Sequence, residues 1–280
     1  MGVYYNEHDP KAAAWLRELI KEGLIADGEV DTRSITDVQP SDLRGLTQCH
    51  FFAGIGGWSY ALRLAGWDDA RPVWTGSCPC QPFSSAGSQQ GAADPRHLWP
   101  SWFRLIQECR PPVIFGEQVA AAVRHGWLDL VFGDLEGCDY ACGAVIAGAH
   151  SVGAPHIRQR LWFVADANSK ERRSRHAQPH TRTDGRDNTR GSGEAEWSDL
   201  IWLPCRDGKA RPTQPGLQPL AHGVSARVGR LRGYGNAIVP QVAAKVILAY
   251  MSSSHGQQGG REVDTDGWKQ RYSVAPPCWA

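Results

Sequence analysis

Up to about residue 165 the chain alternates short apolar runs with longer amphipathic stretches, each bounded by turn residues. That alternation is the tightest constraint on its fold, because strands separated by helices can pair only through crossovers, which makes the sheet parallel and doubly wound. Residues 2–5 read as a strand. Asp9 then caps a helix that opens on Pro10 and runs to about Lys21, with Trp15, Leu16, Leu19 and Ile20 as its apolar stripe and Gly23 as its stop. A second strand is expected over 33–38, then strands over 48–53, 72–75, 112–115 and 161–165, with helices over 58–65 and 98–109. The fold class is therefore α/β, a doubly wound, mostly parallel sheet.

The character changes after residue 165. Residues 166–196 are polar and hold Lys170, Arg172, Arg173, Arg175, Arg182, Arg186 and Arg190 interleaved with acids. Residues 197–212 suggest a hairpin around Arg206-Asp207-Gly208, a helix returns over 240–250, and 252–280 reads as a disordered tail rich in Ser, Gly and Gln. The net charge of +1 says nothing by itself about nucleic acid, so any basic surface has to be local. No apolar run approaches the ~20 residues of a membrane span, and the first residues lack the pattern of a signal peptide. Eight cysteines in such a chain are expected as reduced thiols. Cys78-Pro-Cys80 and Cys138-x-x-x-Cys142 lack zinc-knuckle spacing, so no metal is expected.

Two strand ends carry chemistry. Phe51-Phe52-Ala53-Gly54-Ile55-Gly56-Gly57 stands at a strand-to-helix turn, where glycines let a backbone approach a cofactor closely, although such turns also serve packing alone. Pro79-Cys80-Gln81-Pro82-Phe83-Ser84 places a cysteine between prolines beyond the carboxyl end of a strand, where open α/β sheets bind ligands. Glu117 ends the next strand and should face the same crevice. Arg158 and Arg160 precede a further strand, suited to hold a carboxylate or phosphate.

Together these segments resemble the bacterial and phage DNA (cytosine-5) methyltransferase family. FAGIGG is similar to its cofactor motif and PCQPFS to its nucleophile motif. Gly116-Glu117-Gln118-Val119 stands where the family has Glu-Asn-Val, and Pro155-His156-Ile157-Arg158-Gln159-Arg160 where it has a Gln-x-Arg-x-Arg run. Gly235-Asn236-Ala237-Ile238-Val239-Pro240 is similar to its last cofactor motif. The family places an acidic motif and a third strand between the glycine turn and the cysteine, and here there is no room for them. Tyr5-Asn6-Glu7-His8-Asp9 and Ser34-Ile35-Thr36-Asp37-Val38 resemble the missing units, which implies a circular permutation beginning at the family's second strand. A sheet with residues 2–6 far from 48–53 would exclude it.

The resemblance implies a class I, Rossmann-like methyltransferase in which Cys80, Glu117, Arg158 and Arg160 are catalytic. S-adenosyl-L-methionine would lie against Glu7, His8, Ile35, Phe52, Gly54, Ile55, Gly56, Gly57, Pro79, Leu98, Asn236 and Ala237, and leave as S-adenosyl-L-homocysteine. Gln81, Ser84, Arg96, Arg172, Arg173 and Arg175 would contact double-stranded DNA, with residues 84–97 as a lid over a flipped cytosine. It also implies a catalytic domain over 1–165, a small target-recognition region over 166–222, a return to the catalytic domain over 223–251, and the tail over 252–280. His8, Ser34, Gln118 and His156 depart from the family pattern. The expected protein is a cytoplasmic monomer of a bacterial cell, suited to a phage or prophage gene and to restriction-modification. A tRNA cytosine-5 methyltransferase and a non-catalytic DNA-binding relative are the main alternatives, and a NAD-dependent enzyme, which rests on the glycine turn alone, leaves PCQPFS and GNAIVP unexplained. The tRNA group's Cys-Phe-Thr signature is absent, and retention of Cys80, Glu117 and Arg160 speaks against the non-catalytic relative.

Overall fold

The computed structural model describes residues 2–79, 98–154, 156–167, 201–204, 210–213 and 237–255. Seven strands form one sheet in the order β2-β1-β3-β4-β5-β7-β6. They are β1 Gly2–Asn6, β2 Gly28–Asp31, β3 Leu46–Phe51, β4 Val73–Gly76, β5 Val113–Val119, β6 Ala141–Ala147 and β7 Arg160–Asp166. All neighbouring pairs are parallel up to β5, and β7 runs antiparallel between β5 and β6. β1 lies directly beside β3, Tyr5 opposite His50, so residues 2–6 and 48–53 are neighbours in the sheet.

Helices cover both faces. Strand alternation turns Val3 and Tyr5 to one face, where they pack with Leu16 and Leu19 of α1 (Pro10–Lys21). On that side Trp58 and Leu62 of α2 (Gly57–Leu64) meet Phe115, Trp162 and Val242, the last from α5 (Pro240–His255). Tyr4, Phe51, Trp74 and Phe163 turn to the opposite face, against Trp102 and Leu105 of α3 (Trp99–Cys109) and Val131 of α4 (Trp127–Gly137). Asp9 caps α1 as expected, accepting the amides of Lys11 at 2.8 Å and Ala12 at 3.1 Å.

Several expectations need correction. The second strand is Gly28–Asp31, not 33–38. Ile35 and Val38 are both buried but stand three residues apart across a turn closed by Asp37 N–H to Ser34 C=O at 2.9 Å, and that spacing belongs to a turn, not to strand alternation. Trp15 is exposed, because Ala13, Leu16 and Leu19 form the stripe that meets the sheet. β5 continues past residue 115 to Val119, paired along its whole length by β7. α5 runs on to His255, past the expected boundary at 251. The hairpin exists as a separate two-stranded sheet, β8 (Ile201–Pro204) with β9 (Ala210–Thr213). The lid over 84–97 and the rest of the tail lie outside the described residues.

His50 is a buried polar group at the centre of the sheet. Its Nδ1 meets Thr75 Oγ1 at 2.8 Å, its ring stacks on Tyr5, and Nε2 has no hydrogen-bond partner among the described residues. Burial pushes its pKa down to about 3. The unfolded chain therefore takes up this proton well before the folded chain does. The stability tied to the neutral ring is present above the unfolded pKa of about 6.5 and is lost as pH falls toward the folded value. Between pH 7 and pH 4.5 the wild-type protein should lose about 2.5 kcal/mol more unfolding free energy than His50→Gln. Urea titrations at the two pH values check this; equal losses exclude a neutral buried His50.

Candidate active site

The carboxyl ends of β1, β3, β4 and β5 converge on one edge of the sheet, since these strands are parallel. β4 and β5 place the groups most exactly relative to each other. Gly76 pairs with Gly116, so the next residues, Ser77 and Glu117, emerge side by side. Both glycines are required by close approach. A Cβ on Gly76 would stand 2.6 Å from the Trp102 ring, and one on Gly116 would stand 2.0 Å from Phe163.

Glu117 is buried, 8% exposed, and its Oε1 accepts Arg160 Nε at 2.9 Å. The Ser77 side chain stands next to it in the strand register. Burial raises the Glu117 pKa, while Arg160, Ser77 and Arg158 oppose that rise. Arg158 has a positive φ of 32° and donates to the carbonyl of Ala237, tying the approach to β7 to the segment before α5. Gln118 points to the opposite face. Its Nε2 donates to the Cys78 carbonyl at 3.3 Å and its Oε1 accepts the Val119 amide at 2.9 Å. The Gln118 departure thus bears directly on the strand end that leads to Pro79, which is exposed. Cys80 itself lies outside the described residues, as do Gln81, Ser84, Arg96, Arg172, Arg173, Arg175 and Asn236.

The glycine turn joins β3 to α2. Gly54 and Gly56 have φ of +57° and +82°, which an L side chain resists, and Phe52 adopts φ 52° despite its side chain. Glu7, at the end of β1, reaches this turn. Its Oε2 accepts Gly54 N–H at 2.7 Å and its Oε1 accepts Asp9 N–H at 2.8 Å. Each oxygen keeps a lone pair for a hydroxyl donor, and a Cβ on Gly54 would meet no atom of the described residues nearer than 4.0 Å. A carboxylate acceptor beside open space above a glycine turn fits the sugar of a nucleoside cofactor.

The structure thus gathers Glu7, Phe52, Gly54, Ile55, Gly56, Gly57 and Pro79 at the carboxyl ends of β1, β3 and β4, with Leu98 capping α3. Two expected cofactor contacts are less direct. Ile35 is 2% exposed and packs into the core with Tyr4 and Val38, which leaves only its backbone to a ligand. His8 turns its Nδ1 to the Thr32 carbonyl at 3.1 Å. Sequence reasoning missed Ser77 and Trp58, whose Nε1 donates to Ser77 Oγ at 3.1 Å. Only the Gly76–Gly116 register could have flagged Ser77, and register is not written in either strand alone. Among the described residues no cluster of three His, Cys, Asp or Glu could hold a metal ion, and no helix is long and apolar enough to cross a membrane.

The fold and site define an α/β domain whose polar groups line the carboxyl edge of a doubly wound sheet. Residues 72–196 match the sequence model of the C-5 cytosine-specific DNA methylases. The chain is similar to the type II methyltransferase M.AluI of Cellulosimicrobium cellulans, 34% identical over 115 residues, covering 37% of this chain and 22% of the relative. It is also similar to M.HhaI of Haemophilus parahaemolyticus, 26% identical over 171 residues, 47% of this chain and 52% of the relative. The chain therefore spans between about a fifth and a half of these relatives' length. Among solved structures, the Entamoeba histolytica methyltransferase EhMeth is similar at 14% identity and a TM-score of 0.40, over 66% of this chain and 58% of that one.

The Glu117–Arg160 pair yields a stability prediction. A raised carboxyl binds its proton more tightly in the folded chain. Its contribution is greatest below the unfolded pKa and is lost as pH rises through the folded value. Removing Arg160 removes the strongest opposing influence and leaves a buried charge unpaired. Arg160→Ala should destabilise the protein by roughly 2 kcal/mol at pH 8 and by clearly less at pH 5. Equal losses at the two pH values, measured by urea unfolding, would show that Glu117 does not need the pair.

Proposed function

We propose that this chain methylates C5 of cytosine in double-stranded DNA, with Cys80 as covalent nucleophile and S-adenosyl-L-methionine as the methyl donor. The observation that carries this reading is Glu117: a buried carboxyl at the end of β5, paired with Arg160, one strand from the end that runs on to Pro79 and Cys80. The match of residues 72–196 to the model of the C-5 cytosine-specific DNA methylases supports it independently.

C5 of cytosine is too weak a nucleophile to take a methyl group unaided, so covalent activation is required. The Cys80 thiolate adds to C6, and the displaced ring electrons make C5 nucleophilic. Glu117 holds the proton at N3 and accepts from the exocyclic amine, which stabilises the adduct. Arg160 fixes the Glu117 carboxyl, and Arg158 anchors the neighbouring backbone through Ala237. When bound, S-adenosyl-L-methionine supplies the methyl group. Removal of the C5 proton by a base then lets the bond between Cys80 and C6 break, restoring the thiolate. The chemistry needs the base out of the helical stack.

Glu7 with its open flank at Gly54 is the acceptor for the cofactor's ribose hydroxyls. Phe52, Ile55, Gly56, Gly57, His8, Pro79, Leu98, Asn236, Ala237 and the Ile35 backbone complete the pocket. The strand order β2-β1-β3-β4-β5-β7-β6 is read as the family sheet with its second and third strands moved to the front of the chain. Residues 166–222, which include the β8–β9 hairpin, are assigned to target recognition. Gln81, Ser84, Arg96, Arg172, Arg173 and Arg175 are the proposed DNA contacts.

Incubation of unmethylated duplex DNA with the protein and tritiated S-adenosyl-L-methionine, followed by nucleoside analysis, tests this directly. Label should appear in 5-methylcytosine, vanish in Cys80→Ala, and fall on the order of 100-fold or more in Glu117→Gln. Label retained in Cys80→Ala would reject the covalent route, and no label from the unsubstituted protein would reject the activity.

A further inference from the structure

Four side chains from four separate elements meet on one face of the sheet. Trp58, the second residue of α2 and 3% exposed, donates its indole Nε1–H to Ser77 Oγ at 3.1 Å. Ser77, immediately beyond β4, stands beside Glu117 of β5 in the register, and its side chain favours the charged form of that carboxyl. Arg160 closes on the same carboxyl from β7. An indole nitrogen can only donate, so Ser77 Oγ must accept there. The hydroxyl's single proton is thereby left for the carboxylate, and the direction of the chain of hydrogen bonds is settled by chemistry alone. Trp58 begins one residue after the glycine turn ends, so the relay connects the turn to the acid.

We propose that Ser77, with its hydroxyl aligned by Trp58, is a positioning residue that holds the Glu117 carboxyl in place for the target cytosine. This rests on the methyltransferase reading above. A hydroxyl donated to a carboxylate favours its charged form, so Ser77 and Arg160 work against the burial that would keep Glu117 protonated. Among the described residues the charged groups facing Glu117 are Arg160 and Arg158, and both lower its proton affinity. Ser77 adds a neutral, directional partner at the second side of the carboxyl. Its effect on the proton adds to that of the arginines and opposes that of burial.

The test is steady-state methyl transfer between about pH 5.5 and pH 9.5, on unmethylated PCR duplexes of mixed sequence with tritiated S-adenosyl-L-methionine. Ser77→Ala should lower kcat about tenfold with KM for DNA within about twofold, and should move the alkaline limb of kcat upward by about one pH unit. Ser77→Thr, which keeps the hydroxyl, should restore both. Trp58→Phe, which keeps the ring but not the N–H, should move the limb in the same direction by less. The Glu117 carboxyl carbon, assigned by its loss in Glu117→Gln, should titrate higher in Ser77→Ala when followed by 13C NMR on the free protein. An unmoved limb, or a shift that Ser77→Thr fails to reverse, overturns the positioning role while leaving the methyltransferase intact. Absence of label from the unsubstituted protein sinks the methyltransferase reading, and the positioning role with it.

Discussion

The pairing of Gly76 with Gly116 is the contact on which the site depends. Large aromatic rings lie across both glycines, Trp102 over one and Phe163 over the other, at distances no Cβ could share. With these rings seated on one face, the next residue of each strand must turn to the other. Ser77 and Glu117 are those residues. A slip of one position in this register would carry Glu117 away from Arg160 and bury it beneath the wrong helices.

Placing a carboxyl in such a setting has an energetic consequence. Glu117 lies on the face that carries Trp58 and Trp162, which meet edge to face at 5.7 Å. Little water reaches it, and its charged form survives through the groups aimed at it. The site is therefore tuned by opposition, with burial favouring the proton and the arginines and a hydroxyl favouring its loss. A carboxyl held in that balance keeps its proton to higher pH than a solvated carboxylate does. His50 shows the contrasting outcome. It is also buried, and the pull of Asp69 toward the charged ring is smaller than the opposing effect of burial, so it stays neutral.

Much of the sheet was legible from local chemistry. Asp9 with Pro10 announced α1, the glycine run announced the β3–α2 turn, and the apolar runs announced β1, β3, β4, β5 and β7. Errors arose where a pattern had two readings. Ile35 and Val38 suggested a strand because both are apolar, but they reach the core from a turn, while the true strand, Gly28–Asp31, is short and polar. Trp15 was drawn into the α1 stripe by its size, but its angular position on the helix leaves it outside the contact with the sheet. The end of β5 looked like a loop because it carries Gly, Glu and Gln, and only pairing with β7 makes it strand.

The sequence alone determined which groups are present and which end of the sheet they reach. Glycines, prolines and a cysteine clustered after strand-like runs, and parallel strands send all such clusters to one edge. It also determined, through the order of its motifs, that the first strand of the chain should lie beside the third. The tertiary structure alone decided how those groups touch. Strand register placed Ser77 against Glu117, and the antiparallel entry of β7 brought Arg160 onto the same carboxyl. The packing of α2 set the Trp58 indole above the Ser77 hydroxyl. Register and helix packing are settled by contacts between residues far apart in the chain, so no local pattern records them.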